Sequence, residues 1–423
     1  MNSQLASQGQ ISRILIADCL GQENPDTVYD ELLNTYRDFL AEFGNFHPVD
    51  IFVLFDLQGS KTISLEKVKC LDKLGNGSSL FAICVNYDDP GCTLNTLWIQ
   101  DVLLTIRDNT CLFDPSQSIP DGQVGTFGLG EKQAQSIMSS IPGFTITTGK
   151  LPCAGGNLLL GRVNEINYGF TGANDPTTLK NICSQFDIAP EYLFSPMSVI
   201  IRNDPHLFHV DRFITIVGST LKEKNKHLLL FAQPELADPQ NAIPNETITI
   251  LNAIEQELLG FIKTTGLPLI VEKIPLLFTN FASRTISLSF NNSVVENNFL
   301  PEAPSPVIYF PKYNRTAYSH VNKKSDSELI QFYGDEKIIN DASGEDEFND
   351  HPVFKRNEFL NKIRLELCIE ADAAIANAVK KIMATLSKYK IPKDHIRFID
   401  YNFRKPSSRG GALHCLTKVI KRN

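Results

Sequence analysis

The stretch that sets the fold class is Asp26–Gly44, "DTVYDELLNTYRDFLAEFG", read together with the apolar runs on either side of it. Leu32, Leu33, Tyr36, Phe39, Leu40 and Phe43 recur at helical spacing, and Gly44 closes the pattern. Before it stands "ISRILIADCL" (11–20) and after it "VDIFVLFDL" (49–57), short apolar runs that read as strands. The chain therefore opens strand, helix, strand.

Related units recur downstream. "LFAICVNYDD" (80–89) and "TLWIQDVLLTI" (96–106) read as strands, as do "FITIVGS" (213–219) and "HLLLFAQPE" (227–235). A helix near Ile250 to Lys263 feeds "LPLIVEKIP" (267–275). Near the end a long helical pattern (Leu360, Ile363, Leu367, Ile375, Val379, Ile382, Leu386) precedes "IRFIDYNF" (396–403) and "ALHCLTKVI" (412–420). Many short strands per helix specify an α/β or α+β architecture and not a helical bundle. No break in composition splits the chain, so one domain over 1–423 is expected. It carries a polar, acidic insertion at about 312–355 that includes "NKKSDSE" and "GEDEFND".

Bulk properties narrow the function classes. The 423 residues are 42% hydrophobic and 21% charged, which fits a folded chain with a large core. A net charge of −8 gives no general attraction for phosphate backbones or anionic lipid, so neither nucleic acid nor membrane is expected as partner. No run approaches the roughly 20 apolar residues of a membrane span, and "MNSQLASQGQ" lacks the layout of a signal peptide; a soluble, cytoplasmic chain is the expectation. The nine cysteines are odd in number and scattered, and none forms a C-x-x-C pair. Neither a zinc site nor a disulfide framework follows. Most should be small buried hydrophobes, and one is a candidate nucleophile.

Four short segments bear chemistry. In "LWIQDVLLTIRD" the single tryptophan, Trp98, stands three residues before Asp101. An aspartate inside an apolar strand costs several kcal/mol to bury without a compensating partner, so Asp101 needs one. In "PCAGGNLLLG" the pair Gly155–Gly156 reads as a tight turn or a close backbone approach to a site, with Asn157 as a hydrogen-bonding prop or substrate contact. In "FHVDRFITIVG" strand periodicity sends His209 and Asp211 to one face, and His206 to the other, which disfavours metal ligation by H-x-x-H-x-D. In "GGALHCLTKVI", Cys415 stands beside His414 behind Gly410 and Gly411, a pattern that fits an exposed thiol at a strand edge.

A cysteine, a histidine and two aspartates on separate strands have a coherent chemistry. Two carboxylates can grip a planar guanidinium through charge-assisted hydrogen bonds, a thiolate can attack its central carbon, and a histidine can move protons. The bound cation and a protonated His209 would favour the Cys415 thiolate.

"WIQD", "GGN", "HVD" before an apolar strand, and the terminal "HC-x-T" occur in the order seen in the guanidino-group-modifying superfamily. The sequence most resembles the catalytic domain of protein-arginine deiminases, over roughly Leu97 to Lys421. Supporting stretches are "CLFDPSQ", "HLLLFAQPE", "KIPLLF" and "FNNSVVEN". The resemblance implies a pentein fold, a propeller-like ring of five ββαβ modules with the site at its centre. It implies that Asp101 and Asp211 hold the guanidinium, that His209 is general acid and then base, and that Cys415 is the nucleophile of a thiouronium intermediate. It further implies Trp98 as a wall beside the substrate and conversion of arginine to citrulline. Vertebrate-type relatives carry acidic calcium ligands just after "WIQD"; Val102 and Leu104 stand there in this chain, so no calcium, other metal or cofactor is expected. Between Gly122 and Gly149 there is no counterpart of the arginine that holds a substrate backbone. Ala154 stands where agmatine deiminases often carry an acid, which leans towards a protein substrate.

The leading expectation is thus protein-arginine deimination, with an arginine-containing protein or a small guanidino compound as partner. Agmatine or arginine deimination and amidino transfer use the same residue set. A non-catalytic pentein has no need of a buried acid pair and a thiol, and a cysteine protease leaves the second aspartate without a role.

Overall fold

The computed structural model describes residues 9–22, 27–57, 65–88, 99–114, 131–197, 201, 204–237, 243–281, 284–298, 305–313, 372–401 and 412–422. In chain order β1 (Ile11–Gln22) leads through α1 (Val28–Phe43) to β2 (Asp50–Leu57), which pairs parallel to it; β3 (Val68–Lys73) and β4 (Ser79–Cys84) extend that sheet. A helical turn, α2 (Ile99–Val102), enters β5 (Leu103–Arg107), whose antiparallel neighbour β6 (Thr110–Phe113) is followed by α3 (Glu131–Ser140) and the parallel β7 (Thr145–Thr148). The third sheet repeats this order with β8 (Leu158–Val163), β9 (Ile166–Thr171), α4 (Pro176–Phe186) and β10 (Leu193–Phe194).

The fourth sheet does the same with β11 (Ile214–Gly218), β12 (His227–Leu236), α5 (Asn245–Thr265) and β13 (Leu269–Phe281), and adds β14 (Arg284–Ser289). The fifth comprises β15 (Val294–Asn298), β16 (Ser305–Lys312), α6 (Asp372–Ser387) and β17 (Ile396–Asp400). The chain then returns through α7 (Leu413–Leu416) to β18 (Thr417–Arg422), which pairs antiparallel with β1. With β18 in place, all five sheets hold the ββαβ module that the resemblance implies.

The sheets stand around one axis. A cavity of about 70 Å³ is lined by Thr105 of β5, Leu159 of β8, Thr215 of β11, Val294 of β15 and Lys418 of β18, one contribution from the first strand of each module. Apolar clusters fill the spaces between sheets and helices. The amphipathic face of α1 buries Val28, Leu32, Tyr36, Phe39, Leu40 and Phe43 against β2, which is buried along nearly its whole length. Each such side chain contributes about 1.5–3 kcal/mol when fully withdrawn from water. On the outer side, Ile250, Leu251, Ile254 and Leu258 of α5 pack on Leu229 and Phe231 of β12.

Several expectations shift by a few residues for local reasons. Within "TLWIQDVLLTI" the described residues begin at Ile99, where Ile99–Val102 forms a helical turn and the strand starts at Leu103. The run from Phe208 begins as a turn over Val210–Arg212 and becomes a strand at Ile214. Of the polar insertion only Lys312 and Tyr313 lie among the described residues, and of the last long helical pattern Leu360, Ile363 and Leu367 lie outside them. No helix among the described residues is long and apolar enough to cross a membrane.

A buried carboxylate ties the closing sheet to its neighbour. Glu296 of β15 accepts from the Ile11 N–H of β1 (2.8 Å) and from Tyr309 Oη of β16 (2.6 Å), and its Oε2 lies 2.7 Å from His47 Nε2. Burial works against a charged His47, but the hydrogen bond and charge of Glu296 prevail and raise its pKa above the usual 6.5. A raised folded value adds stability that is full below the unfolded value and fades as pH climbs through the folded one. The stability lost on His47→Gln is therefore expected to be larger at about pH 6 than at about pH 8.5 in urea titrations. Equal losses at both would remove this latch.

Candidate active site

Every module places a polar turn immediately before its axial strand, and the five turns meet at one end of the axis. Asp101 is in α2, two residues before β5 begins its approach at Leu103. Gly155–Asn157 forms a single 3-10 turn that runs straight into β8. His209 caps the 3-10 turn Val210–Arg212 ahead of β11. Asn291 and Asn292 stand just before β15, and His414 and Cys415 lie in α7 directly before β18. Residues remote in sequence thereby become neighbours.

Gly156 lies at the centre of the convergence. Its N–H donates to Asp101 Oδ1 at 2.8 Å. A Cβ on it would lie 2.9 Å from Asp101 Oδ1, 2.9 Å from His209 Nδ1 and 3.0 Å from Asp211 Oδ2. A Cβ on Gly155 would lie 1.9 Å from the Gln100 carbonyl oxygen. Both glycines are thus required by close approach, at ordinary backbone angles. The partner that Asp101 needed is this backbone N–H, with His209 Nδ1 at 3.8 Å.

One carboxylate oxygen organises the other side. Asp211 Oδ2 accepts from Asn292 Nδ2 (2.9 Å) and from the Cys415 thiol (3.3 Å), and lies 2.9 Å from His414 Nδ1. Asn292 also donates to Cys415 Sγ (3.0 Å), while its own Oδ1 accepts from the N–H groups of Ala412 (3.0 Å) and Cys415 (3.2 Å). The amide thus fixes both the backbone and the sulfur of α7. Two buried atoms in this cluster, Asp211 Oδ1 and His209 Nδ1, have no hydrogen-bond partner. An open acceptor in a dry site costs about 1–3 kcal/mol and marks where a ligand's N–H groups can be received.

Burial sets the electrostatics. For Asp211, burial pushes the pKa up, but the hydrogen bond and charge of His414 and the charge of His209 outweigh it and bring the value below the usual carboxylate range. Asp101 moves the other way: burial and the neighbouring Asp211 raise it, against the pull of His209 and the Gly156 N–H. Cys415 is pushed well above an ordinary thiol by burial and by the charges of Asp211 and Asp101, with Asn292 and Arg212 opposing. The thiol is 2% exposed, so the expected exposed cysteine at a strand edge is corrected to a buried one in a helical turn.

The reason for the His209–Asp211 proximity also changes. They share a site because a 3-10 turn carries them, not because a strand sends alternate residues to one face. Asn157 is a hydrogen-bonding prop of this turn: its Oδ1 accepts from Gly172 N–H (3.0 Å) and Val210 N–H (3.2 Å). His206 packs its ring against Phe278 and is not among the converging groups. Trp98 lies outside the described residues. Asn292 and the contact of His414 with Asp211 were not legible as site features. The available signals were the Asn-Asn pair of "FNNSVVEN" ahead of a strand, and the His next to the candidate nucleophile. Among the described residues no group of three or more His, Cys, Asp or Glu side chains is arranged to hold a metal.

No family model and no curated protein matches the chain. Solved structures do. An agmatine deiminase from C. jejuni superposes with a TM-score of 0.53 at 14% identity, over 100% of this chain and 96% of the other. A substrate-bound variant of that enzyme gives 0.54 at 12% identity, over 100% and 97%. The agmatine deiminase of Enterococcus faecalis gives 0.51 at 11% identity, over 98% and 94%. At these identities the likeness establishes the fold, the mixed α/β pentein of these deiminases.

Gly156→Ala is expected to keep the fold and displace Asp101, His209 or Asp211, with a loss of turnover of about 100-fold or more. Circular dichroism and a guanidine-conversion assay check this together; an active Ala variant would show that the three side chains have room to spare. Asn292→Ala, which frees the Cys415 backbone and sulfur at once, is expected to cost turnover on the same scale. Its crystal structure should show α7 displaced.

Proposed function

We propose that the chain hydrolyses the guanidinium group of a small guanidino compound, of the agmatine or arginine class, through a covalent intermediate on Cys415. The observation that carries this reading is Asp211: one oxygen binds the Cys415 thiol at 3.3 Å while the other, buried, is an unfilled acceptor. A flat cation with several N–H donors satisfies that oxygen and presents its carbon to the sulfur. Asp101, across Gly156, supplies the second acid.

The same cation answers the raised thiol. Burial and two carboxylates disfavour the thiolate in the free protein, and a bound guanidinium cancels much of that field. In this scheme Cys415 Sγ bonds to the guanidinium carbon as its thiol proton passes to His209. The carbon–nitrogen bond of the tetrahedral adduct then breaks, and ammonia leaves with the proton returned by His209. Water adds to the thiouronium carbon with His209 as base, the carbon–sulfur bond breaks, and the ureido product departs with the thiol restored. Asn292 and His414 keep Asp211 and the sulfur in register.

The agmatine deiminases among the similar folds weigh towards a small substrate over the protein-arginine reading that Ala154 favoured. The competing substrates are separated directly. With agmatine, free arginine and arginine peptides offered in parallel, ammonia release and a gain of about one mass unit are expected, and to be fastest for a small guanidine. Faster conversion of peptides would move the reading to protein-arginine deimination, and peptide cleavage would end it. Cys415→Ala should abolish ammonia release. Asp101→Asn and Asp211→Asn should each lower kcat/KM by about 100-fold or more, chiefly through KM.

A further inference from the structure

Directly after Asp211 stands a cation that pairs with no carboxylate among the described residues. Arg212 is fully buried, and its guanidinium meets only neutral acceptors: the His206 carbonyl (3.2 Å), the Ser287 carbonyl (3.3 Å) and Ser287 Oγ (2.7 Å). Its Nη1 has no hydrogen-bond partner, and among the described residues no carboxylate pairs with it. A buried guanidinium stays charged and is costly to keep in the interior without an anion. Some negative charge nearby must offset that cost.

The backbone around Arg212 shows where its field acts. Ser289 Oγ donates to the Arg212 carbonyl (2.6 Å), so the turn bearing Asp211 is fastened at both ends of Arg212 to β14. Three residues beyond Ser289 stands Asn292, which binds Asp211 and Cys415. Arg212 thus bolts together the two segments that hold the carboxylate against the sulfur.

We propose that Arg212 is a positioning residue for Cys415, an internal cation that holds the Asp211 turn in place and supplies the counter-charge under which the thiol can act as a thiolate. The charge balance of the site gives the reason. Asp101, Asp211 and a Cys415 thiolate carry three negative charges; a substrate guanidinium, a protonated His209, Arg212 and the buried Lys418 of β18, which acts on Asp101, supply the positive ones, and Arg212 is an internal cation whose charge acts on Cys415. The field of Arg212 at Cys415 favours the thiolate, against Asp211 and Asp101. Asp211 and Asn292 hydrogen-bond to the sulfur, and the charges of Asp211, Asp101 and Arg212 act on it; His414 lies against Asp211, His209 lies 3.8 Å from Asp101, and the buried Lys418 of β18 acts on Asp101.

This inference rests on the reading of Cys415 as nucleophile, and its test needs no substrate. The rate of iodoacetamide labelling at Cys415, followed by mass on its own peptide, is measured against pH in the parent, Arg212→Met and Arg212→Lys proteins. The Met variant removes the cost of a buried charge but also three hydrogen bonds, so circular dichroism first establishes that it is folded. Its labelling profile should move to higher pH by about one unit or more, and the Lys variant should return most of the way to the parent. A folded Met variant with the parent profile overturns the proposal, as does a Lys variant no better than Met. Should the Met protein fail to fold, Ser287→Ala keeps the charge but loosens it: a smaller upward shift supports the role, and an unmoved profile overturns it. If the parent labels with the expected dependence on Arg212 yet converts no guanidine, the electrostatic role is supported and the hydrolase reading is defeated.

Discussion

Convergence around the axis is the constraint on which the rest depends. Five modules each begin with an axial strand, and five strands can surround a cavity of about 70 Å³ only if their starting ends crowd together. Whatever precedes each strand is then forced into one small volume. Asp101, Gly156, Asp211, Asn292 and Cys415 all stand one to three residues before such a strand. The pairing of β18 with β1 closes the ring, and because α7 leads directly into β18 it also brings the thiol to its place. Closure of the fold and completion of the site are the same event.

That volume is electrostatically overloaded, which explains its unusual density of neutral and cationic supports. Two buried carboxylates and a thiol repel one another's ionised forms, and the structure responds with an amide, two imidazoles, a glycine N–H and an internal guanidinium. For Asp211 these supports outweigh burial and lower its pKa, whereas for Asp101 and Cys415 burial and the neighbouring negative charge prevail and raise it. A ligand cation fits the imbalance. In the proposed scheme the group that would be attacked is also the group that relieves the field.

Low identity to known structures is consistent with this division of labour. At 14% identity and below, the chain retains the ring of modules, because a strand or helix needs only apolar residues at the right period. The turns are less forgiving. Gly156 has no space for a methyl group, and Asn292 makes hydrogen bonds to four groups, so few residue types serve at either position. A shared fold does not specify a substrate.

The sequence by itself determined the strand–helix–strand grammar, the apolar face of α1 and the need of Asp101 for a partner, which follow from periodicity and from the cost of burying charge, local properties of a chain. It singled out Gly155–Gly156, His209, Asp211 and Cys415 by residue type and by resemblance. Only the tertiary structure decided that Asn292 joins the carboxylate to the thiol, that Cys415 is enclosed, that Asn157 props a turn, and that the Arg212 guanidinium meets only neutral acceptors among the described residues. Each of those depends on distances across the axis, set by how five sheets pack. No pattern along a single strand encodes how far apart two strands will come to rest.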